Sequence, residues 1–309
     1  MQKNIVIIVA GPTASGKSAL AVDLAKYLDG VVINADSMQV YQNMPVISAV
    51  PSEQDKALAE HKLFEIYPPT VRGNVVDWLN LAVQEIKSAF KRHKTPIVVG
   101  GTGLYLDNLI YGTTPIPETP ENIRHQVQKM FEEKGLAYLY QELQKKDPTT
   151  AQKLSENDTT RIKRAYEVYL ATGKPISEWY KVPMVKKIPD AEFFIIKICP
   201  SAEELDKRCF ERFDKMLQNG ALKEVENLYQ KQILPSMPAM KALGVPELLE
   251  YFAQKVTLEE AVQNAKLHTR QYAKRQRTWF KNKLPADYEL KHCYLSADLA
   301  DILATYTLN

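Results

Sequence analysis

Eight residues constrain this chain more than any others: Gly11-Pro12-Thr13-Ala14-Ser15-Gly16-Lys17-Ser18. They match G-x-x-x-x-G-K-[ST] and stand between segments of different periodicity. Ile5-Val6-Ile7-Ile8-Val9, just before them, is a short β-branched apolar run. Residues 19–28, just after, carry apolar side chains at helical spacing, and Gly30 is expected to end that helix. Strand, glycine loop and helix in this order make the spacing a phosphate cradle rather than a chance turn. Glycines let the backbone curl until several N–H groups face one concavity, and the helix adds its positive end. The amides of residues 13–18 are the expected donors. Lys17 supplies a point charge to the terminal phosphate, and the Ser18 hydroxyl is suited to ligate Mg2+.

The rest of the chain extends the pattern. Val31-Val32-Ile33 reads as a second strand ending at Asn34-Ala35-Asp36-Ser37, residues 76–92 as a helix, and 96–101 as a further buried strand. Alternating β and α units predict a parallel sheet with helices on both faces. A proline-punctuated linker at 113–120 breaks the alternation. Residues 121–182 hold only helical patterns. One helix is expected from Pro120 to about Gln144 with a weak point at Gly135; another is capped by Asp158 and stops near Gly173 and Pro175. A strand returns at 192–199, and residues 201–309 read as mostly helical. The expected fold class is α/β: a P-loop-type parallel sheet flanked by helices, with an all-helical insertion at 114–190. That insertion divides a core of 1–113 and 191–309, whose C-terminal region is helical.

In an open α/β sheet the carboxyl ends of the strands line the ligand crevice. Asp36 and Thr102, at two such ends, should therefore face Lys17. A conventional NTPase would carry an Asp at the end of the 97–102 run. None is there, so Asp36 is the candidate carboxylate; the alternative is a plain turn or cap residue, as Thr102 is alternatively a turn hydroxyl. Arg208 and Arg212 lie four apart on a predicted helix and share one face. They read either as a cationic lid over a diphosphate or as a face salt-bridged to Glu211 and Asp214.

Charge distribution says more than net charge, which is +3 from 40 basic and 37 acidic residues. Between Ala261 and Ala286 no acidic residue occurs. Of the cations there, Lys266, Arg270, Lys274, Arg277 and Lys281 fall along one helix face. With no counter-charge in the segment, the stripe reads as a footprint for a nucleic-acid backbone rather than a solvated face. Trp279 and Phe280 beside it either stack a base or pack in the core. No apolar run is long enough to span a membrane, and residues 5–9 are too short for a signal-peptide core. Cys199, Cys209 and Cys293, like the five histidines, are too scattered for a disulfide framework or a zinc site. A cytoplasmic protein without a membrane partner is the expectation.

Six segments carry a resemblance: 11–18, Asp36-Ser37-Met38-Gln39-Val40-Tyr41, 61–66, Val99-Gly100-Gly101-Thr102-Gly103-Leu104-Tyr105, 208–217 and 269–280. In this order, over about residues 4–285, they are similar to those of the bacterial tRNA dimethylallyltransferase family. The resemblance implies transfer of a dimethylallyl group from dimethylallyl diphosphate to N6 of the adenine 3′ to the anticodon, in tRNAs reading codons that start with U. Diphosphate is the other product. It also implies an ATP-type nucleotide-binding loop, Mg2+ as cofactor and a monomer. Carried over residue by residue, Asp36, Thr102 and Lys17 are catalytic, and residues 11–18 with Arg208 and Arg212 hold the diphosphate. Asp36, Ser37, Met38, Gln39, Thr102, Arg124, Thr160, Arg161, Ile162, Lys163, Arg164, Lys241 and Gly244 would join the stripe in touching tRNA. The insertion would clamp the anticodon stem-loop. The stretch Lys241-Ala242-Leu243-Gly244-Val245-Pro246 departs from the family, lacking an aromatic and a second cation.

That chemistry suits the residues. An allylic diphosphate ionises readily, so the main task is to stabilise a departing diphosphate. The adenine amine is a poor nucleophile, and a carboxylate such as Asp36 accepting its proton helps. Thr102 would orient the bridging oxygen or the base. The base must leave its stack to reach such a site. Three alternatives stand: a small-molecule kinase, a prenyltransferase of free AMP or ATP, and a non-catalytic RNA-binding module. The first two leave the basic stripe unexplained, and the third has no use for Asp36 beside a phosphate loop.

Overall fold

Apolar runs that must be buried on both faces decide the sheet. In the computed structural model, which describes residues 4–308, six strands are all parallel: β1 (Ile5–Ala10), β2 (Gly30–Asn34), β3 (Glu60–Lys62), β4 (Thr95–Gly100), β5 (Glu192–Ile198) and β6 (Tyr288–Leu290). Their order is β3-β2-β4-β1-β5-β6. β1 lies inside, with Ile7 opposite Ile97 on one side and Phe194 on the other. The helices of eight residues or more are α1 (Lys17–Tyr27), α2 (Val75–Lys91), α3 (Gly103–Tyr111), α4 (Glu121–Lys146), α5 (Thr159–Thr172), α6 (Ala202–Gln218), α7 (Ala221–Gln230), α8 (Val245–Phe252), α9 (Leu258–Lys283) and α10 (Leu299–Leu308). The chain thus has the P-loop-type α/β architecture read from the sequence. No helix among the described residues is long and apolar enough to cross a membrane.

One face of the sheet is covered by α1 and α10. Leu20, Ala21, Leu24, Ile302 and Leu303 pack with Ile7, Val9, Val32, Ile97 and Ile196. α2 packs on β2 and β4, burying Trp78, Leu79, Ala82 and Ile86. Trp78 donates its indole N–H to the Asn34 carbonyl at 2.7 Å and stacks on Tyr105 at 4.3 Å. The end of β2 is thereby fixed just before Asp36.

Gly30 does not end α1. The helix stops at Tyr27 with Leu28 as its cap, and Asp29 takes the left-handed turn (φ 46°). Gly30 starts β2 opposite Thr95, where a Cβ would lie 2.6 Å from the Ile97 side chain. Close packing, not helix termination, requires the glycine. β3 and β6 are edge strands without an apolar run, so periodicity does not announce them.

By contacts the chain divides into two compact units, Met1–Ile110 with Ile188–Asn309, and Tyr111–Lys187. In the second unit α4 and α5 close a core of Val127, Leu139, Leu143, Ile162, Ala165 and Val168. Gly135 breaks α4 with φ 79°. Asp158 caps α5 by accepting the Arg161 N–H, and Gly173 ends it in the left-handed region.

β2 and β4 come so close at their ends that a Cβ on Gly100 would lie 2.1 Å from the Ala35 carbonyl oxygen. Backbone cannot yield as a flexible side chain does. Gly100→Ala is expected to destabilise the protein by about 3 kcal/mol, read from the midpoint of denaturant unfolding.

Candidate active site

The phosphate loop joins β1 to α1 and is held from behind. The Tyr294 N–H donates to the Ser15 carbonyl at 3.0 Å, and the Tyr294 hydroxyl reaches Asp23 at 2.7 Å. Gly16, at φ 92°, passes so near that a Cβ would touch Tyr294. Gly11 faces the Ile198 carbonyl, which a Cβ would meet at 2.6 Å. The loop encloses one wall of a cavity of about 530 Å3, also lined by Arg208, Glu211, Arg212 and Lys215 of α6, and by Asp36 and Asp55. Ser18 is exposed to it. The Ser15 hydroxyl is buried in the loop and has no hydrogen-bond partner among the described residues.

Lys17 turns back to the Pro12 carbonyl at 2.6 Å. Burial pushes its pKa down from 10.5 to about 8; Asp36 opposes the shift and Arg212 adds to it. Arg212, whose pKa is also lowered by burial, donates to the Thr13 hydroxyl. Asp214, one of the two carboxylates weighed against the lid reading of Arg208 and Arg212, instead pairs with Lys266 at 2.6 Å. α6 thus directs both guanidinium groups at the cavity.

A second cavity of about 270 Å3 shares Thr13, Asp36, Ser48 and Arg212 with the first. It is lined further by Met38, Phe213, Met216, Leu243 and Tyr272. Burial and the nearby Asp36 charge hold the Tyr272 hydroxyl above the usual tyrosine range. Asp36 stands at the junction. Its Oδ1 accepts the Met38 N–H at 2.9 Å and its own N–H donates to Asn34 at 2.8 Å. The larger cavity carries loop residues and cations, the smaller sets methionine and aromatic side chains beside Arg212, Lys241 and Arg275, and Asp36 lines both.

Several expected site residues have other duties. Thr102 lines neither cavity: its hydroxyl accepts the Ser37 N–H at 2.9 Å and so braces the Asp36 loop. The Thr13 N–H, counted among the cradle donors, is taken by Gln276 Oε1 at 2.8 Å. Gln39 donates to the carbonyls of Ser48 and Ala49. Gly244 is a buried left-handed residue (φ 89°) facing Phe213, a requirement of packing rather than an RNA-facing surface. Lys241, Ser37 and Met38 do line the smaller cavity.

In the helical unit Ile162 is fully buried in the core and offers no side chain to RNA. Lys163 bonds Gln128, Arg164 reaches the Thr119 hydroxyl at 2.7 Å, and Arg124 faces Glu118 at 3.6 Å. Thr160 and Arg161 are exposed.

The stripe on α9 is only partly free, because neighbouring segments supply what α9 itself lacks. Asp206 of α6 pairs with Arg270 at 2.7 Å, as Asp214 does with Lys266, and Arg277 donates to the Pro200 carbonyl at 2.9 Å. Lys274 and Lys281 remain exposed. Phe280 is wholly buried and Trp279 packs edge-on against it. Sequence reasoning also missed two residues. Glu224 accepts the N–H groups of Val46 and Ile47, fixing the segment that carries Ser48. Gln276 is the other. A polar residue in the buried row Ala265, Thr269, Ala273, Gln276, Phe280 was the available signal.

Fold and site together define a phosphate-loop α/β enzyme. Residues 39–283 match the family model described as IPP transferase, and residues 4–65 match that described as isopentenyl transferase. The chain is 43% identical to a tRNA dimethylallyltransferase of Rhodospirillum centenum over 91% of its length and 90% of the relative. It is 42% identical to one of Rickettsia bellii, over 96% and 95%. Among solved structures it is similar to the full-length tRNA isopentenylpyrophosphate transferase of Bacillus halodurans (31% identity, TM-score 0.71, covering 100% of this chain and 95% of that one). It is also similar to a eukaryotic dimethylallyltransferase acting on tRNA (31%, TM-score 0.80, 91% and 70%). The chain belongs to the tRNA dimethylallyltransferase (IPP transferase) family.

The Lys17 shift has opposite consequences for binding and for stability. A phosphate ligand needs the protonated lysine, so affinity for inorganic diphosphate should fall as pH rises through about 8. Without ligand, the unfolded chain holds more protons than the native one between about 8 and 10.5, so this residue's contribution to stability rises with pH there. Calorimetry and thermal melts across that interval should show the two opposite trends, and Lys17→Met should lose both.

Proposed function

We propose that this enzyme transfers a dimethylallyl group from dimethylallyl diphosphate to N6 of an adenine in the anticodon loop of tRNA, beside the anticodon. The observation that carries the reading is Asp36 standing where the phosphate-loop cavity meets a second cavity that adds methionine and aromatic side chains. The diphosphate fits against Ser15, Lys17, Arg208 and Arg212, and the five-carbon group fits beyond Asp36, against Met38, Phe213 and Tyr272. The bond from C1 to the bridging oxygen breaks, and its electron pair leaves with the diphosphate. Buried cations and loop amides stabilise that charge without reorganising. The adenine nitrogen bonds to C1 and gives a proton to Asp36. Thr102 acts through the Asp36 loop.

Among the described residues no three His, Cys, Asp or Glu side chains gather into a metal cage. The loop fits Mg2+ in another way, because this ion keeps much of its water and binds through few protein groups plus substrate phosphates. Ser18 is the residue suited to hold it, and the bound ion would supply further charge neutralisation to the leaving group.

The direct test is incubation with labelled dimethylallyl diphosphate and tRNA, AMP or ATP. Label should enter tRNA; label in AMP or ATP but not in tRNA would overturn the reading. Asp36→Asn retains an acceptor for the Met38 N–H and removes the base. It should slow turnover by about 10²–10⁴-fold, with tRNA affinity nearly unchanged in a filter-binding titration.

The exposed cations of α9 are proposed to meet the RNA backbone, and the ion-paired ones to contribute less. Lys274→Glu and Lys281→Glu should each lower the slope of log affinity against log salt by about one. Lys266→Glu should move it less.

A further inference from the structure

The phosphate loop is gripped by a helix more than two hundred residues away in sequence. Gln276 of α9 accepts the Thr13 N–H through Oε1 at 2.8 Å and donates through Nε2 to the Gly101 carbonyl at 2.7 Å. The side chain is buried, with 6% of its surface exposed. Both functions of the amide are used, one on each side of the crevice. Thr13 opens the cradle, and its hydroxyl is held at the same time by Arg212. Gly101 directly follows β4 and precedes Thr102, which braces Ser37 beside Asp36.

The fit around the amide is close. A Cβ on Gly101 would lie 2.3 Å from Gln276 Nε2. No charged group would serve: a carboxylate accepts from Thr13 but cannot donate to Gly101, and a cation donates but cannot accept. An apolar residue of the same length would leave the Thr13 N–H and the Gly101 carbonyl without these partners, at a cost when buried.

We propose that Gln276 is a positioning residue for the diphosphate cradle, setting Thr13 and its Arg212 contact relative to the strand end beside Asp36. It acts through Thr13, and α9 thereby joins the mouth of the cradle to the loop that carries the base. This rests on the reading of the loop as a diphosphate site, and it assigns a role to a side chain outside the phosphate-loop sequence.

The probe is inorganic diphosphate with Mg2+, titrated calorimetrically into the full-length protein, with tRNA affinity measured alongside. Gln276→Met keeps the length and removes both hydrogen bonds. It should weaken diphosphate binding about tenfold or more while leaving tRNA affinity within about threefold. Gln276→Glu should be weaker still, because it adds a negative charge next to the anion.

Gly101→Ala displaces the amide from the other side. It should weaken diphosphate binding in the wild-type background and have little further effect on a Gln276→Ala protein, which has room for the new methyl group. A general structural defect would add in both backgrounds instead. This second variant also carries the test should Gln276→Met fail to fold. Wild-type diphosphate affinity in Gln276→Met, or additive losses in the double variant, would overturn the proposal. A wild-type enzyme that binds diphosphate but leaves tRNA unmodified would sink the proposed reaction and leave the clamp standing.

Discussion

The near contact between the ends of β2 and β4 sets the geometry of the site. Ala35 donates to the Val99 carbonyl at 2.7 Å and accepts the Thr102 N–H at 3.3 Å. Gly100 permits this approach by having no side chain. Asp36 follows Ala35 directly and Thr102 follows Gly100 with only Gly101 between, so the loops that carry them are built on one backbone junction. Trp78, anchored on the Asn34 carbonyl, and Gln276, anchored on that of Gly101, tie down the two sides. A carboxylate on a loop is usually mobile. Here its neighbours on both strands are fixed by buried hydrogen bonds.

The electrostatics follow from burial. Lys17 and Arg212 are both desolvated, which costs free energy while they stand near each other. Asp36 offsets part of that cost from the opposite wall. Such a site favours an anion, because a multiply charged phosphate removes the repulsion between the two cations. The adjoining cavity sets Met38, Phe213, Met216 and Tyr272 beside Arg212, Lys241 and Arg275. An apolar patch next to a cationic cavity suits a ligand with an anionic head and an apolar tail.

The basic stripe shows the limit of reading one helix alone. Within α9 the absence of acids between Ala261 and Ala286 is real, yet α6 supplies Asp206 and Asp214. Both belong to the helix that carries Arg208 and Arg212. Pairing them with α9 holds α6 in place and leaves its arginines for the cavity. The same cations that looked free thus help to hold the helix that lines the larger cavity, and the exposed cations of the stripe contract to residues such as Lys274 and Lys281.

Local order was legible in the sequence because it depends on neighbours along the chain. The strand, glycine loop and helix of 5–28, the cap at Asp158, the break at Gly135 and the left-handed stop at Gly173 each rest on backbone preferences spanning a few residues. The parallel sheet followed from apolar runs alternating with helical ones. Edge strands β3 and β6 were hidden because an edge needs no apolar run. What the sequence could not decide were partnerships between distant segments: Gln276 with Thr13, Asp214 with Lys266, Thr102 with Ser37, Gly244 against Phe213. A hydrogen bond or ion pair between segments this far apart in sequence exists only after the chain has folded. Chemistry-bearing residue types were therefore recognisable in advance, whereas which of them face the ligand was decided by packing.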